Sequence, residues 1–273
     1  MSSVTPEVVA TLCGEALPRD ELTPDDIRTS CFGPGSESIG GPEGAIVWTH
    51  RDFGTVQTAW ILLLAVRPDR QREGIGRALV DEVVTRARAL DVGEIHTGNC
   101  APRYVWPGVD LANTAALACF QDLGFEAYDH GLNMSLPTGF RSDPPIGVTV
   151  ERETGDGAVE LARREFPHWV DEIERGTRSG TTFAARDADG ATIAFGAHSV
   201  NRHAWIGPMA TDPSQRHGGT GHAILAALAE DIGASHGVDH ADIAWVAPIP
   251  FYAKAGAVAS RAFRMHRLRL RTP

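Results

Sequence analysis

One pattern of strand, loop and helix occurs twice in this sequence of 273 residues. The first copy begins at Leu62 and reads LLLAVRPDRQREGIGRALVDEVVTRARAL. The second begins at Trp205 and reads WIGPMATDPSQRHGGTGHAILAALAEDI. In each copy an apolar run ends at a proline, Pro68 or Pro213, and glycines follow six and eight residues later. Because the prolines lie 145 residues apart, the repeat predicts two domains of similar size.

The loop of each copy is suited to bind phosphate. Glycine lets the backbone approach a ligand closely and adopt φ values that a side chain would forbid. The first turn of the following helix leaves several N–H groups unpaired, at the positive end of the helix dipole. Such a turn binds pyrophosphate. The spacing differs from GxGxxG, and neither loop has the Lys and Ser or Thr that end a nucleotide P-loop.

The two loops resemble the acetyl-CoA loop of the GCN5-related N-acetyltransferases (GNAT). That pattern is Gln or Arg, any two residues, Gly, any residue, then Gly or Ala. Here the copies read QREGIG from Gln71 and RHGGTG from Arg216. The resemblance implies an α/β fold with a mixed sheet, built as two tandem GNAT domains over residues 1–140 and 141–273. It also implies acetyl-CoA as co-substrate and no metal. The segment PTGFRSDPP, residues 137–145, is the predicted linker.

The resemblance also implies which residues contact the cofactor. The CoA phosphates would bind the loops, and backbone N–H groups of the strand before each loop would polarise the acetyl carbonyl. In the first copy the implied residues are Leu64, Val66, Gln71, Arg72, Gly74 and Gly76. In the second they are Met209, Ala210, Thr211, Arg216, His217, Gly218, Gly219, Thr220 and Gly221.

One aromatic position distinguishes the two copies. The family carries a tyrosine four residues before the glycine that ends the next helix. That position is Phe120 before Gly124 in the first half, and Tyr252 before Gly256 in the second. The resemblance therefore implies that the second domain is catalytic, with Tyr252 protonating the departing CoA thiolate. A tyrosine packed between helix and sheet is the alternative.

The sequence does not single out a general base. Polar residues near the ends of the central strands and on one helix of the second half are candidates, although a solvated surface role is more typical of each: His198, His203, Asp212, Asp171, Glu172 and Glu174. In the first half, the long loop NCAPRYVWPGVDLANT contains Tyr104 and Trp106, which could line a pocket or pack against neighbouring structure.

Composition limits the partners. The net charge is −10, and residues 1–140 carry −9 of it, which argues against a nucleic-acid surface and mildly favours cationic substrates. There is no apolar run of about 20 residues, as a membrane helix requires. The start MSSVTPEVVATLCGEAL lacks a basic segment, so we expect a cytoplasmic protein without a membrane partner. The four cysteines show no ligand spacing and are expected to be free thiols.

The local patterns predict most elements. Thr5 and Thr23 are expected to cap two helices, and Ile75, Leu79, Val83 and Ala87 form one buried stripe of the loop helix. The segment FGPGSESIGGPEG is expected to be rich in turns. Strands are expected at 243–247 and, as the last strand of the second domain, at 264–270.

These observations predict an acetyl-CoA-dependent N-acetyltransferase. The acceptor would be the amine of a small molecule or peptide, which attacks directly in a ternary complex, and the protein would be a monomer or homodimer. Three alternatives stay open at this point. The first domain could be catalytic, with Tyr104 as its proton donor; the protein could be a non-catalytic acyl-CoA sensor; or the halves could be a structural pair with relic loops.

Overall fold

The chain divides into two compact units. The computed structural model describes residues 3–52, 57–216 and 218–270. Unit 1 is formed by Met1–Gly131 together with Arg261–Pro273, and unit 2 by Leu132–Ser260. These units differ from the predicted domains of 1–140 and 141–273 in two segments, because 132–140 belongs to unit 2 and 261–273 to unit 1.

Unit 1 is a mixed sheet with helices. Its elements are α1 (Pro6–Ala16), α2 (Pro24–Cys31), β1 (Ser36–Gly41), β2 (Gly44–Asp52), β3 (Gln57–Val66), α3 (Ile75–Ala89), β4 (Glu94–Thr97), β5 (Val109–Asp110), α4 (Thr114–Asp122) and the first half of β6 (Glu126–Pro137). The predicted helix starts are confirmed, since the Thr5 and Thr23 side chains accept bonds from the N–H groups of Val8 and Asp26. Leu79, Val83 and Ala87 are buried as predicted, while Ile75 is half-buried.

The segment FGPGSESIGGPEG, expected to be rich in turns, contains a strand that was not predicted. Within it, β1 pairs antiparallel with β2, from Ser36↔Thr49 to Gly41↔Gly44. The glycine-rich sequence has low strand propensity, but the neighbouring β2 is almost entirely buried and supplies a full pairing edge. Tertiary pairing therefore overrides local preference here.

The last strand of the chain completes unit 1. In β12 (Val258–Arg269), Arg267 pairs with His96 of β4, and Phe263 pairs with Asp110 of β5, both antiparallel. β2 pairs antiparallel with β3, and β3 pairs parallel with β4, so the order is β1-β2-β3-β4-β12. The prediction that 264–270 ends the second domain was wrong, because an alternating strand pattern shows which face is buried but not which sheet receives it.

Unit 2 repeats the same plan. It contains the second half of β6, β7 (Thr149–Arg152), α5 (Gly157–Glu165), α6 (Val170–Arg178), β8 (Thr182–Arg186), β9 (Thr192–His198), β10 (Trp205–Thr211), α7 (Thr220–His236), β11 (His240–Ile243) and α8 (Ile249–Lys254). The strand order is β6-β11-β10-β9-β8-β7. β11 ends at Ile243, where a strand to 247 was expected, because Trp245 has φ of 50° and turns the chain away. In the described part of the chain, no helix combines the length and apolarity needed to cross a membrane.

Candidate active site

The two glycine loops have the same local conformation. Gly74 is the N-cap of α3 with φ of 87°, and Gly219 is the N-cap of α7 with φ of 92°. Neither helix start has a side-chain cap, so its first N–H groups remain available to a ligand. At both glycines the left-handed backbone disfavours any side chain. Both loops therefore have the backbone conformation that a phosphate-binding turn requires.

Charged side chains surround the first loop. Glu73 lies within it, but Arg70 bonds to this carboxylate at 2.9 Å and also pairs with Glu43. Gln71 donates to the carbonyl of Val66 at 3.1 Å, which ties the loop to the end of β3. Arg72 is exposed next to the glycines, and its positive charge can meet an anionic ligand.

The second loop lies between β10 and α7. Arg216, Gly218 and Gly219 are exposed, whereas Thr220 is buried at the first position of the helix. His217 lies outside the described residues. On β10, Met209 packs on one cluster of unit 2 and Ala210 on the other, as expected for successive residues of a strand. The half-buried Thr211 ends the strand.

In unit 1 the strand before the loop separates from its neighbour. The parallel register of β3 and β4 ends at Ile61↔Thr97, whereas β3 continues to Val66. A bulge sits at the same point, because Val47 and Trp48 of β2 face Leu63 and Ile61, leaving Leu62 as the extra residue. A bulge bends the strand and redirects its polar groups. The backbone of β3 past Ile61 is therefore turned toward the space that β4 leaves.

A cleft occupies this space. It has a volume of about 80 Å³ and is open to solvent. Its walls are the 61–64 stretch of β3, the end of β4, the long loop that contains Trp106, α4 and three ion-paired side chains. The lining residues include Leu64, Thr97, Gly98, Trp106, Asn113, Ala116, Phe120, Asp20, Asp110 and Arg261. Trp106 thus lines a pocket, as considered from the sequence, whereas Tyr104 is not among the lining residues and Val66 lies beside the glycine loop, near Gly76.

An ion-paired cluster forms one wall of the cleft. Arg261 donates to Asp110 from Nε at 2.8 Å and from a terminal nitrogen at 2.5 Å, and to Asp20 at 2.5 Å. The Trp106 indole N–H also donates to Asp20, at 2.7 Å. Burial alone would lower the pKa of Arg261, but the two carboxylates outweigh it and the net shift is upward. Two negative charges and one positive charge therefore face the cleft, a net charge of −1.

Phe120 takes the family's tyrosine position in unit 1. Its ring lines the cleft, packs edge-on to Phe125 with centroids 5.1 Å apart, and lies over His266 at 6.3 Å. It has no hydroxyl group, so this position offers no proton in unit 1.

The strands of unit 2 also separate, but helix α8 lies against the loop helix. The described register of β10 and β11 ends at Ile206↔Ile243. Phe251 of α8 stacks on His222 with centroids 4.4 Å apart, and His222 Nε2 lies 3.0 Å from the carbonyl oxygen of Phe251. A Cβ placed on Gly221 would lie 3.2 Å from the Phe251 ring, whereas one on Gly76 would meet only Val66, at 3.7 Å. The first turn of α7 is thus covered by an aromatic ring, and that of α3 is open.

Tyr252 is buried among apolar residues of unit 2. Its side chain belongs to the core cluster and packs edge-on to Phe251, with centroids 4.9 Å apart. Burial raises the pKa of Tyr252 to about 12, so the phenol stays protonated at neutral pH. This environment is compatible with both interpretations made from the sequence, a core tyrosine and a proton donor.

The candidate bases of unit 2 already have partners. Asp212 pairs with Arg164 at 2.8 Å, Asp171 with Arg175 at 2.7 Å and Glu174 with Arg163 at 2.7 Å. The buried Glu172 accepts a bond from Asn201 at 2.8 Å, and His198 lies 2.7 Å from Asp231. His203 lies near His236, with ring centroids 6.2 Å apart. The pKa of Asp212 is held low, mainly by bonds from Ser214.

Comparison with known proteins finds similarity to GNAT acetyltransferases. Residues 36–125, from β1 to the start of β6, match the model of the Acetyltransferase (GNAT) family. A mycothiol acetyltransferase of Clavibacter michiganensis subsp. michiganensis (strain NCPPB 382) is 29% identical over 224 residues, covering 75% of this chain and 68% of the relative. These similarities support an N-acetyltransferase of the GNAT type. The GNAT family uses acetyl-CoA as co-substrate.

Solved structures of GNAT proteins share the fold of this chain. A tandem GNAT protein from the clavulanic acid biosynthesis pathway matches 99% of this chain and 98% of its own, with a TM-score of 0.72 and 17% identity. A GCN5-related glucosamine N-acetyltransferase region of a fungal multi-domain GH3 β-N-acetylglucosaminidase gives a TM-score of 0.77 and 18% identity. This chain covers 38% of that longer protein. At these identities the likeness concerns the fold alone.

The charged wall of the cleft was not predicted from the sequence. Asp20 lies between α1 and α2, Asp110 lies on a two-residue strand, and Arg261 lies in the last strand of the chain. No local spacing connects three residues so far apart in sequence. The acidic excess of residues 1–140 was the available signal, and it does not single out these two carboxylates.

Proposed function

We propose that the protein acetylates the amine of a small molecule or peptide by direct attack within a ternary complex, and that unit 1 holds the reacting groups. The open cleft at the separation of β3 and β4 is the observation that carries this proposal. The cleft lies where β3 leads into the first glycine loop. In unit 1 the start of the loop helix is uncovered, whereas in unit 2 Phe251 of α8 covers it.

The chemistry requires a polarised carbonyl and an uncharged amine. In the proposal, backbone N–H groups of β3 beyond Leu62 donate hydrogen bonds to the acetyl oxygen and stabilise its developing negative charge. The amine nitrogen then bonds to the carbonyl carbon, the carbon–sulfur bond breaks, and the proton lost by the amine ends on the CoA sulfur. Because Phe120 offers no proton, that transfer in unit 1 would pass through water.

The cleft favours an acceptor that carries positive charge. Asp20 and Asp110 contribute two carboxylates against one guanidinium, in a partly buried wall where charge interactions are stronger than in water. An amine with a second cationic group would match this net charge of −1, whereas a carboxylate-bearing acceptor would be repelled.

Catalysis in unit 2 is a second candidate, because Tyr252 occupies the family's tyrosine position and burial keeps it protonated. For this route Phe251 would have to move away from the first turn of α7. We also propose that the protein is cytoplasmic, that it has no nucleic-acid or membrane partner, and that it is a monomer or homodimer.

The test is thiol release from acetyl-CoA with an amine panel of diamines, monoamines, amino acids and dipeptides. We expect the highest kcat/KM for acceptors with a second positive charge. Asp110→Asn should lower kcat/KM for diamines by about tenfold and for monoamines far less, as expected for one weakened ionic contact of about 1.4 kcal/mol. Acetyl-CoA binding without thiol release over the whole panel would instead support a non-catalytic sensor.

A further inference from the structure

A hydrogen-bonded chain of four side chains lies at the turn between β9 and β10. Asp231 of α7 contacts His198 Nε2 at 2.7 Å, and His198 Nδ1 contacts Ser199 Oγ at 3.0 Å. On its other side Ser199 Oγ contacts His236 Nε2 at 3.0 Å and accepts from the N–H of Ala204 at 3.1 Å. The proposed acetyl transfer uses none of these residues.

The proton positions follow from the partners. A carboxylate only accepts, so His198 Nε2 must carry the proton that bonds to Asp231. The neutral ring then presents a lone pair at Nδ1, and the Ser199 hydroxyl donates to it. Burial lowers the pKa of His198 more than Asp231 raises it, which keeps the ring neutral and able to accept that proton. Arg152 of β7 contacts the other Asp231 oxygen at 2.5 Å and fixes the carboxylate.

The serine is accessible while its base is not. His198 is only 1% exposed, whereas Ser199 is half-buried and its contact with His236 lies at the surface. Ser199 also has φ of 54°, in a region that costs energy for a residue with a side chain. A nucleophile held at the surface above a buried histidine, which is itself paired with a half-buried carboxylate, is the arrangement that serine hydrolases use.

We propose that Ser199 is a nucleophile that accepts acyl groups from small activated esters, so that unit 2 carries an esterase site. Ser199 Oγ bonds to the ester carbonyl carbon as its proton passes to His198 Nδ1. The bond to the leaving alcohol breaks, and the alcohol takes that proton. Water then hydrolyses the acyl-serine to a carboxylic acid. The His236 and Ala204 N–H groups stabilise negative charge on Oγ as the proton leaves.

This site is separate from the acetyl-CoA loop and does not rest on the function proposed above. Ser199 lies before the start of β10, at the carbonyl of Trp205, while the glycine loop follows the end of that strand at Thr211. Seven residues of strand at about 3.3 Å each place the two sites roughly 20 Å apart. An ester assay without CoA therefore tests this site independently of acetyl-CoA binding.

The test uses p-nitrophenyl acetate and a fluorophosphonate on the full chain. We expect a burst of p-nitrophenol, one acetyl group on the peptide containing Ser199, and fluorophosphonate labelling at the same residue. Ser199→Ala should abolish all three. Asp231→Asn should slow acylation by about 100-fold, the usual contribution of an oriented base. The matched control Ser179→Ala removes an exposed serine and should react as the wild type.

A pH profile separates catalysis from a structural role. His198 faces Asp231 and His236 of α7 and Arg152 of β7, and its lowered pKa should keep the acylation rate high below neutral pH. If Ser199→Ala does not fold, Asp231→Asn and the peptide map decide. Wild-type acylation no faster than that of Asp231→Asn, or labelling at residues other than Ser199, would overturn the proposal.

Discussion

The ring of Phe251 lies flat on the imidazole of His222, with centroids 4.4 Å apart and planes inclined by 4°. His222 is in the first turn of α7, directly after Gly221, so the stack covers the helix start where a phosphate-binding loop would receive its ligand. The residue at the matching position of unit 1 is Cys119, whose short side chain leaves the start of α3 uncovered. The two glycine loops therefore have the same conformation but differ in how accessible the following helix start is to a ligand.

Removing the Phe251 ring should open the second loop. Phe251→Ala is expected to raise the number of acetyl-CoA molecules bound per chain from one to two, because the Gly219 backbone already has the conformation of Gly74. Calorimetric titration measures this. Phe183→Ala, which removes a half-buried ring from the same cluster away from the loop, is the control and should leave one site. Unchanged stoichiometry in Phe251→Ala would show that the ring is not what limits access.

Tyr252→Phe should change turnover little if unit 1 is catalytic. The buried phenol would then be a packing residue, and we expect kcat within about threefold of wild type, since an isosteric ring is retained. Loss of a general acid would instead lower kcat by about 100-fold or more. Steady-state thiol release with the best amine distinguishes the two, and the larger loss would move the reaction to unit 2.

Arg261 should be important for stability although it lies near the end of the chain. Its side chain is 14% exposed and holds two carboxylates, which would be left facing each other without compensation in Arg261→Ala. We expect a loss of about 3 kcal/mol in the free energy of unfolding, the scale for breaking a largely buried pair. Urea denaturation measures it, with the exposed Arg264→Ala as control. Equal midpoints for the two variants would contradict the structural role.

Stability should fall on mild acidification. Burial lowers the pKa of His198 and of His266 below the ordinary value of 6.5. The unfolded chain therefore takes up these protons at a higher pH than the folded chain. The two neutral histidines contribute fully to the free energy of unfolding above about pH 6.5. This contribution is lost as the pH falls from about 6.5 to the lower pKa values of the folded state. Urea midpoints should be lower at about pH 5 than at about pH 7.5, and His266→Gln should reduce the difference.

Features of the fold and site could be predicted from the sequence when the residues that form them lie close together along the chain. The glycine loops and the caps at Thr5 and Thr23 lie within a few residues of sequence, and the structure has them where the patterns place them. The partner of β12 could not be predicted, because Phe263 and Met265 are buried in alternation whichever sheet receives them. The pairing of Arg261 with Asp20 could not be predicted either, because the two residues are 241 positions apart and no local pattern connects them.

The central claim is that unit 1 receives acetyl-CoA, and calorimetric titration of paired glycine variants tests it most directly. Gly74→Glu and Gly219→Glu place the same side chain and negative charge in the two loops, and Gly139→Glu adds that charge at an exposed glycine with open space around it. We predict one bound acetyl-CoA in the wild type, in Gly219→Glu and in Gly139→Glu, and none in Gly74→Glu. Binding that survives in Gly74→Glu and disappears in Gly219→Glu would contradict the assignment and place the cofactor in unit 2.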